Sequence, residues 1–170
     1  MIIFAFPGIG KTSLAKKYDA VVDLELSEIK YDNSGVRHLT KEERKSLKRP
    51  LKSKDYKEVY VAKALDLHKE GYLVLVALNF LPRLLWHMGK GAQKNCHIFI
   101  PKLSLRKEYR SRYQKRGNNR RFIFEVMSIW YPTLVFLSLL SYVIPGLITI
   151  LESNEFLEDF FDSDRMTFKS

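Results

Sequence analysis

The residues best equipped for chemistry stand near the start of the chain, in Ala5-Phe6-Pro7-Gly8-Ile9-Gly10-Lys11-Thr12. Their spacing follows G-x-x-x-x-G-K-[ST], with Ala5 in place of the first glycine. A loop of this kind folds back over the first turn of a helix and aims several backbone N–H groups at one spot, where the helix dipole favours an anion. Pro7, Gly8, Ile9 and Gly10 supply the tight turn. Lys11 supplies a point charge for the outer phosphates of a nucleotide, and Thr12 a hydroxyl for Mg²⁺, with Ser13 beside them on the helix.

A carboxylate follows at Asp23, in Ala20-Val21-Val22-Asp23-Leu24-Glu25-Leu26. The β-branched run predicts a strand with Asp23 and Glu25 at its carboxyl end, the edge outside which ligands sit in open α/β sheets. At that edge Asp23 can bind Mg²⁺ through water or accept a proton from a substrate hydroxyl; a strand-end cap is its structural alternative. Glu25 reads as structural.

The second concentration of chemistry is residues 105–121, Leu-Arg-Lys-Glu-Tyr-Arg-Ser-Arg-Tyr-Gln-Lys-Arg-Gly-Asn-Asn-Arg-Arg. If helical, it sets Arg106, Tyr109, Arg110 and Tyr113 on one face and Arg112 and Arg116 on another. Arginine forks suit a bidentate grip on phosphate oxygens, and one or two can neutralise charge developing on a transferring phosphoryl group. Interleaved Tyr and Arg also suit a nucleic-acid backbone, and a solvated basic helix is the third reading.

These groups need a scaffold, and the rest of the sequence predicts one. Met1-Ile2-Ile3-Phe4 reads as a buried strand and the stretch from Lys11 as a helix. Residues 27–56 form a basic insert over the site, with Lys41, Arg44, Lys45, Lys48, Arg49, Lys52, Lys54 and Lys57 close together. Part of it is expected to be helical, with Thr40 as cap and Glu42 and Glu43 in the first turn. It either receives the phosphate of an acceptor substrate or is a solvated face. Helical spacing resumes over 55–70, with Val59, Ala62, Leu65 and Leu67 as a buried stripe and Gly71 as the stop.

Residues 72–78 are continuously apolar, as a central parallel strand requires. Asn79 closes that strand, an amide where many phosphate-loop proteins place a metal-holding acid. A short helix bearing Arg83 and His87, a turn at 89–91 and a strand at Cys96–Pro101 follow. Residues 126–151 carry no charge. About 20 apolar residues suffice for a membrane span, but Pro132 and Pro145-Gly146 divide this run into a helix over 126–145 and a last strand over 147–151. The surplus apolarity of that helix marks a dimer face. An amphipathic helix over 154–161 and a frayed tail over 162–170 complete the chain.

The 170 residues make one α/β domain over 1–162, three layers around a parallel sheet of about five strands with right-handed crossovers. Hydrophobic residues at 46% and aromatics at 13% exclude a disordered chain. The net charge of +10 suits a polyanionic partner, nucleotide or nucleic acid. Cys96 is alone, which excludes a disulfide framework and a cysteine metal site and points to a reducing, intracellular setting. The N-terminal apolar run lacks the basic flank of a signal peptide and is spent on the first strand.

Four blocks together resemble a known family: the loop with Ala15-Lys16-Lys17-Tyr18, the Val21-Val22-Asp23-Leu24-Glu25 strand, the Tyr-x-x-Arg-Tyr-x-x-Arg-Gly-Asn segment from Tyr109, and Glu152-Ser153-Asn154-Glu155-Phe156-Leu157-Glu158-Asp159. They resemble small phosphate-loop proteins of bacteriophages, described as nucleoside monophosphate kinase-like, deoxynucleotide kinase-like or adenylate kinase-like. The resemblance implies a three-layer phosphate-loop kinase fold, ATP as donor, Mg²⁺, a nucleotide acceptor, and the cytoplasm of a host cell. It also implies an Arg-rich lid over 104–121, with Arg112 and Arg116 as its first candidates and Arg106 and Arg110 next. Asn79-Phe80-Leu81-Pro82-Arg83 is similar to the Asp-Gly-Phe-Pro-Arg of adenylate kinases, but Asp and Gly are missing and only Arg83 carries over. The apolar 126–145 helix departs from the family. Other readings are a nucleotide-dependent nucleic-acid-binding protein, an ATP-binding module that catalyses poorly, and a membrane-attached NTPase.

Overall fold

The N-terminal apolar run forms β1 (Ile2–Ala5), every residue of which is buried. A computed structural model describes residues 1–40, 43–44, 47–89, 94–162, 164 and 167–168. In it β1 occupies the middle of a five-stranded, all-parallel sheet in the order β2-β3-β1-β4-β5. The other strands are β2 (Val21–Asp23), β3 (Leu73–Ala77), β4 (Cys96–Pro101) and β5 (Ile148–Leu151). Burial on both faces accounts for the unbroken apolar sequences of β1 and β3 and for that of β4 apart from the half-buried His97. The α/β class and the five-stranded parallel sheet agree with the expectation.

The register decides where the loop emerges. Ala5 lies opposite Ala77 on one side and Phe99 on the other, so the three central strands end nearly together. The chain winds from β1 outward past β3 to form β2, and later crosses over β1 from β3 to reach β4. The direction of winding therefore reverses around β1, and the segment after Ala5 sits at that reversal, on the carboxyl edge of the sheet.

Helices cover the sheet: α1 (Lys11–Lys17), α2 (Leu26–Lys30), α3 (Tyr56–Lys69), α4 (Leu81–Met88), α5 (Arg106–Lys115), α6 (Arg120–Ser128), α7 (Trp130–Val143) and the short α8 (Leu157–Phe160). Their aromatic side chains fill the core beside β1. Phe6 meets Trp130 edge-on at 5.2 Å between centroids, and Tyr109 packs on both. Trp130 Nε1 donates to Leu103 O at 3.0 Å, which satisfies the buried indole.

Several expectations are corrected. The buried stripe of α3 is Tyr60, Val61 and Ala64, not one running from Val59 through Ala62, both of which are exposed. The Tyr60 hydroxyl sets that rotation by donating to Leu24 O at 2.9 Å and accepting from Ala77 N–H at 3.2 Å. The 126–145 helix is two helices, α6 and α7, bent by 42° at Ile129. Pro132 lies in the first turn of α7, where its missing N–H costs no intrahelical bond, so it does not interrupt the helix. The helix over 154–161 shrinks to Leu157–Phe160, because Phe161–Asp162 (β6) turns to pair antiparallel with Thr167–Phe168 (β7). The described part of the supposed tail is thus hydrogen-bonded.

In the basic insert, Thr40 and Glu43 cap each other: Thr40 N–H donates to Glu43 Oε2 at 2.7 Å, and Glu43 N–H to Thr40 Oγ1 at 3.3 Å. Lys41, Glu42 and Lys45, together with residues 90 and 91 of the expected turn, lie outside the described residues.

Candidate functional site

The loop between β1 and α1 turns on two glycines in the left-handed region, Gly8 at φ +88° and Gly10 at φ +98°. Two carbonyls in it are tied down from outside. Tyr113 Oη donates to Pro7 O at 2.8 Å, and Leu157 N–H donates to Ile9 O at 3.0 Å. A trans peptide carries its N–H opposite its C=O. Fixing Pro7 O and Ile9 O therefore turns the N–H groups of Gly8 and Gly10 to the other side, the inside of the loop. The first turn of α1 adds the N–H groups of Lys11, Thr12 and Ser13, which precede the first bond of the turn, Leu14 N–H to Gly10 O at 3.1 Å. The result is a concave set of backbone donors.

Both positions require glycine for conformation, and Gly8 for space as well, whereas a Cβ on Gly10 would meet its neighbour at ordinary contact distance. A Cβ on Gly8 would come within 2.9 Å of Tyr113 Cε1, and one on Gly10 within 3.4 Å of Phe156 Cβ. Tyr109, Tyr113 and Phe156 are thus the outer wall of the loop.

Thr12 and Asp23 meet beside it. Thr12 Oγ1 donates to Asp23 Oδ2 at 2.7 Å, while Asp23 Oδ1 is buried without a hydrogen-bond partner. The strand end that carries Asp23 is pinned by Leu24 N–H to Leu75 O at 3.0 Å and by the Tyr60 hydroxyl on Leu24 O. A hydroxyl and a carboxylate with an unused oxygen fit Mg²⁺, which takes few protein oxygens and completes its shell with water and substrate phosphates. Among the described residues no group of three His, Cys, Asp or Glu gathers as an all-protein metal cage. Asn79 lies exposed in the short 3-10 turn Leu78–Phe80 after β3 and contributes no carboxylate.

Burial holds the Lys11 ammonium below its ordinary range; Asp23 pulls it back up, Arg116 pushes it down again and Glu25 raises it. Lys11, Asp23, Glu25 and Arg116 therefore share one electrostatic neighbourhood. Pro7, Gly8, Ile9, Gly10, Lys11, Thr12 and Ser13 all lie on the loop or the first turn, as expected.

The arginines of α5 divide. Arg116 is exposed at the helix end, near enough to Lys11 for its charge to be felt. Arg112 is held by Glu108, and its guanidinium lies over the rings of Tyr109 at 4.7 Å and Phe156 at 4.5 Å. Its Nη1 is buried and without a hydrogen-bond partner. Ser153 Oγ donates to the second Glu108 oxygen at 2.8 Å, so the Arg112 clamp is anchored to the segment after β5. Arg106 turns to the Met127 carbonyl at 3.3 Å and the Tyr131 ring, and Arg110 lies exposed. Arg83 pairs with Glu58 of α3, which also stands 3.9 Å from His87 Nε2; both side chains join α4 to α3.

Sequence reasoning placed the loop, Lys11, Thr12 and Asp23 together and missed the parts that brace them. Tyr60, Phe156, Glu108 and Ser153 carried no local signal of a role. Tyr109 and Tyr113, which one alternative reading set on a nucleic-acid backbone, are buried in the core and hold the loop. Neither the known protein families nor the curated proteins contain a match to this chain.

Proposed function

We propose that the chain is a phosphate-loop phosphotransferase that moves a phosphoryl group from ATP to a nucleotide acceptor. The observation that carries this reading is the Thr12–Asp23 pair, with its unused Asp23 oxygen, set beside a loop whose carbonyls are tied outward. The strand order around β1 supports the same reading. The loop N–H groups cradle the donor phosphates, and Lys11 neutralises them. Thr12 and Asp23 would hold Mg²⁺, which would neutralise charge on the donor phosphates. Arg116, whose charge is felt at Lys11, is the group that would stabilise charge in the transition state, and Arg112, held by Glu108 and two aromatic rings, is the second. Packing of α5 on the outer side of the loop through Tyr109 and Tyr113 holds the loop in the shape that cradles the donor phosphates.

The test is a coupled ADP-release assay with Mg-ATP and a panel of nucleoside and deoxynucleoside monophosphates. Release that depends on one or a few acceptors is expected, and Lys11→Ala should abolish it while the far-UV CD spectrum is unchanged. Wild-type turnover in that variant would sink the proposal. ATP binding with no acceptor-dependent release would favour a poorly catalytic module. Oligonucleotide binding whose log affinity falls steeply with log salt would favour the nucleic-acid reading.

A further inference from the structure

The helix α7 is packed on one side only. Trp130, Leu134 and Leu137 are buried in the core, and the opposite side presents Tyr131, Pro132, Val135, Phe136, Leu139, Tyr142 and Val143 to solvent. Phe136 is 64% exposed, Leu139 62% and Tyr142 84%. At 100° per residue these positions fall within one arc of the helix. No charged residue interrupts them, since residues 126–151 carry none. Scattered apolar residues on a surface need no explanation; a continuous stripe along a whole helix does.

We propose that this face is the two-fold interface between two copies of the chain, with α7 packed antiparallel against α7 of the second copy. Six of the seven stripe positions are self-complementary. Reflected about Leu137, position 131 falls on 143, 132 on 142 and 135 on 139, and all six are exposed, while Phe136 falls on Ser138. An antiparallel two-fold partner would then set Tyr131 against Val143, Pro132 against Tyr142, and Val135 against Leu139, each in both directions, as an isologous contact demands. In each pair a larger side chain meets a smaller one, which allows interdigitation.

The size also agrees. Aromatic side chains offer ~150–250 Å² each, and the exposed parts of this stripe together approach the ~800 Å² per partner of a standard interface. Tyr131 and Tyr142 stand near the two ends, where a phenol can bury its ring and keep its hydroxyl in water.

A lipid surface fits less well. Among the described residues no single helix is long and apolar enough to cross a membrane, and α6 with α7 pass that test only as a bent pair. Interfacial helices also set Lys and Arg along the polar flank of the same helix, and α7 has neither.

The experiment is sedimentation equilibrium of the full chain without detergent, over ~1–100 μM, independent of any ATP turnover. A reversible dimer is expected. Val135→Lys and Leu139→Glu should each raise the dissociation constant by at least ~30-fold, because each buries an unpaired charge. The double variant Val135→Lys/Leu139→Glu should regain dimerisation, since the antiparallel pairing places each lysine opposite a glutamate of the second copy. A monomeric wild type over the whole range overturns the proposal. So does a dimer that neither single variant weakens, or a double variant no better than the singles. Binding of the wild type to anionic phospholipid vesicles, lost in Leu139→Glu with no dimer in solution, replaces the second copy with a membrane.

Discussion

Thr12 Oγ1 donates to Asp23 Oδ2 at 2.7 Å, joining the first turn of α1 to the end of β2. The same carboxylate keeps Oδ1 buried and without a hydrogen-bond partner. Under the proposed function, this free oxygen is the one that would face Mg²⁺.

Asp23→Asn isolates this role. The amide oxygen can still accept from Thr12, so the fold is retained, but the negative charge is gone. Acceptor-dependent ADP release is expected to fall by ~100-fold or more, and the Mg²⁺ concentration for half-maximal rate is expected to rise. Unchanged rate and unchanged Mg²⁺ dependence would show that Asp23 is only a strand-end residue.

Lys11 makes a prediction about pH and stability. Burial lowers its pKa from 10.5, with Asp23, Arg116 and Glu25 as the lesser influences. The unfolded chain then binds more protons than the folded one between the lowered value and 10.5, so this residue's contribution to stability rises with pH across that window. Lys11→Met removes the contribution. Urea unfolding from about pH 7 to about pH 10 should find the variant more stable at neutral pH, the gap closing as pH rises. Comparing the two proteins at each pH cancels the tyrosines, such as Tyr109, which burial pushes up to about 12. A gap that widens with pH would contradict the buried ammonium.

The outer wall of the loop can be loosened without touching the inner face. Tyr113→Phe keeps the ring but loses the bond to Pro7 O, at a cost of about 1 kcal/mol. Freed from it, the Pro7–Gly8 peptide no longer holds its N–H inward, so ATP affinity should fall together with stability. Gly8→Ala should cost more: an L-residue at φ +88° is strained by ~1–2 kcal/mol, and its Cβ would press on the Tyr113 ring. Denaturant unfolding with equilibrium ATP binding on both variants checks this. Full ATP affinity in Tyr113→Phe would mean that the tyrosine braces the core alone.

The reading of Lys11, Thr12 and the two loop glycines needed only the sequence, because a tight turn between a buried strand and a helix is dictated by local residue types. The parallel strands were legible for the same reason: a strand buried on both faces must be apolar, and β1 and β3 are apolar throughout, with β4 broken only by His97. Asp23 was legible as a strand end, but its partner was not. That Thr12 lies against it, that Tyr60 pins the neighbouring Leu24, and that Tyr113 and Leu157 hold the loop carbonyls are contacts between residues far apart in the chain, which no local pattern encodes. The α3 stripe was misread because Val59 and Ala62 match helical spacing as well as Tyr60 and Val61 do; the tyrosine hydroxyl, bonded to two strand ends, chose the rotation. The charge-free run gave helix and strand by composition, whereas the bend at Ile129 and the outward side of α7 were decided by the core, which takes in Trp130, Leu134 and Leu137 fully and Leu140 in part.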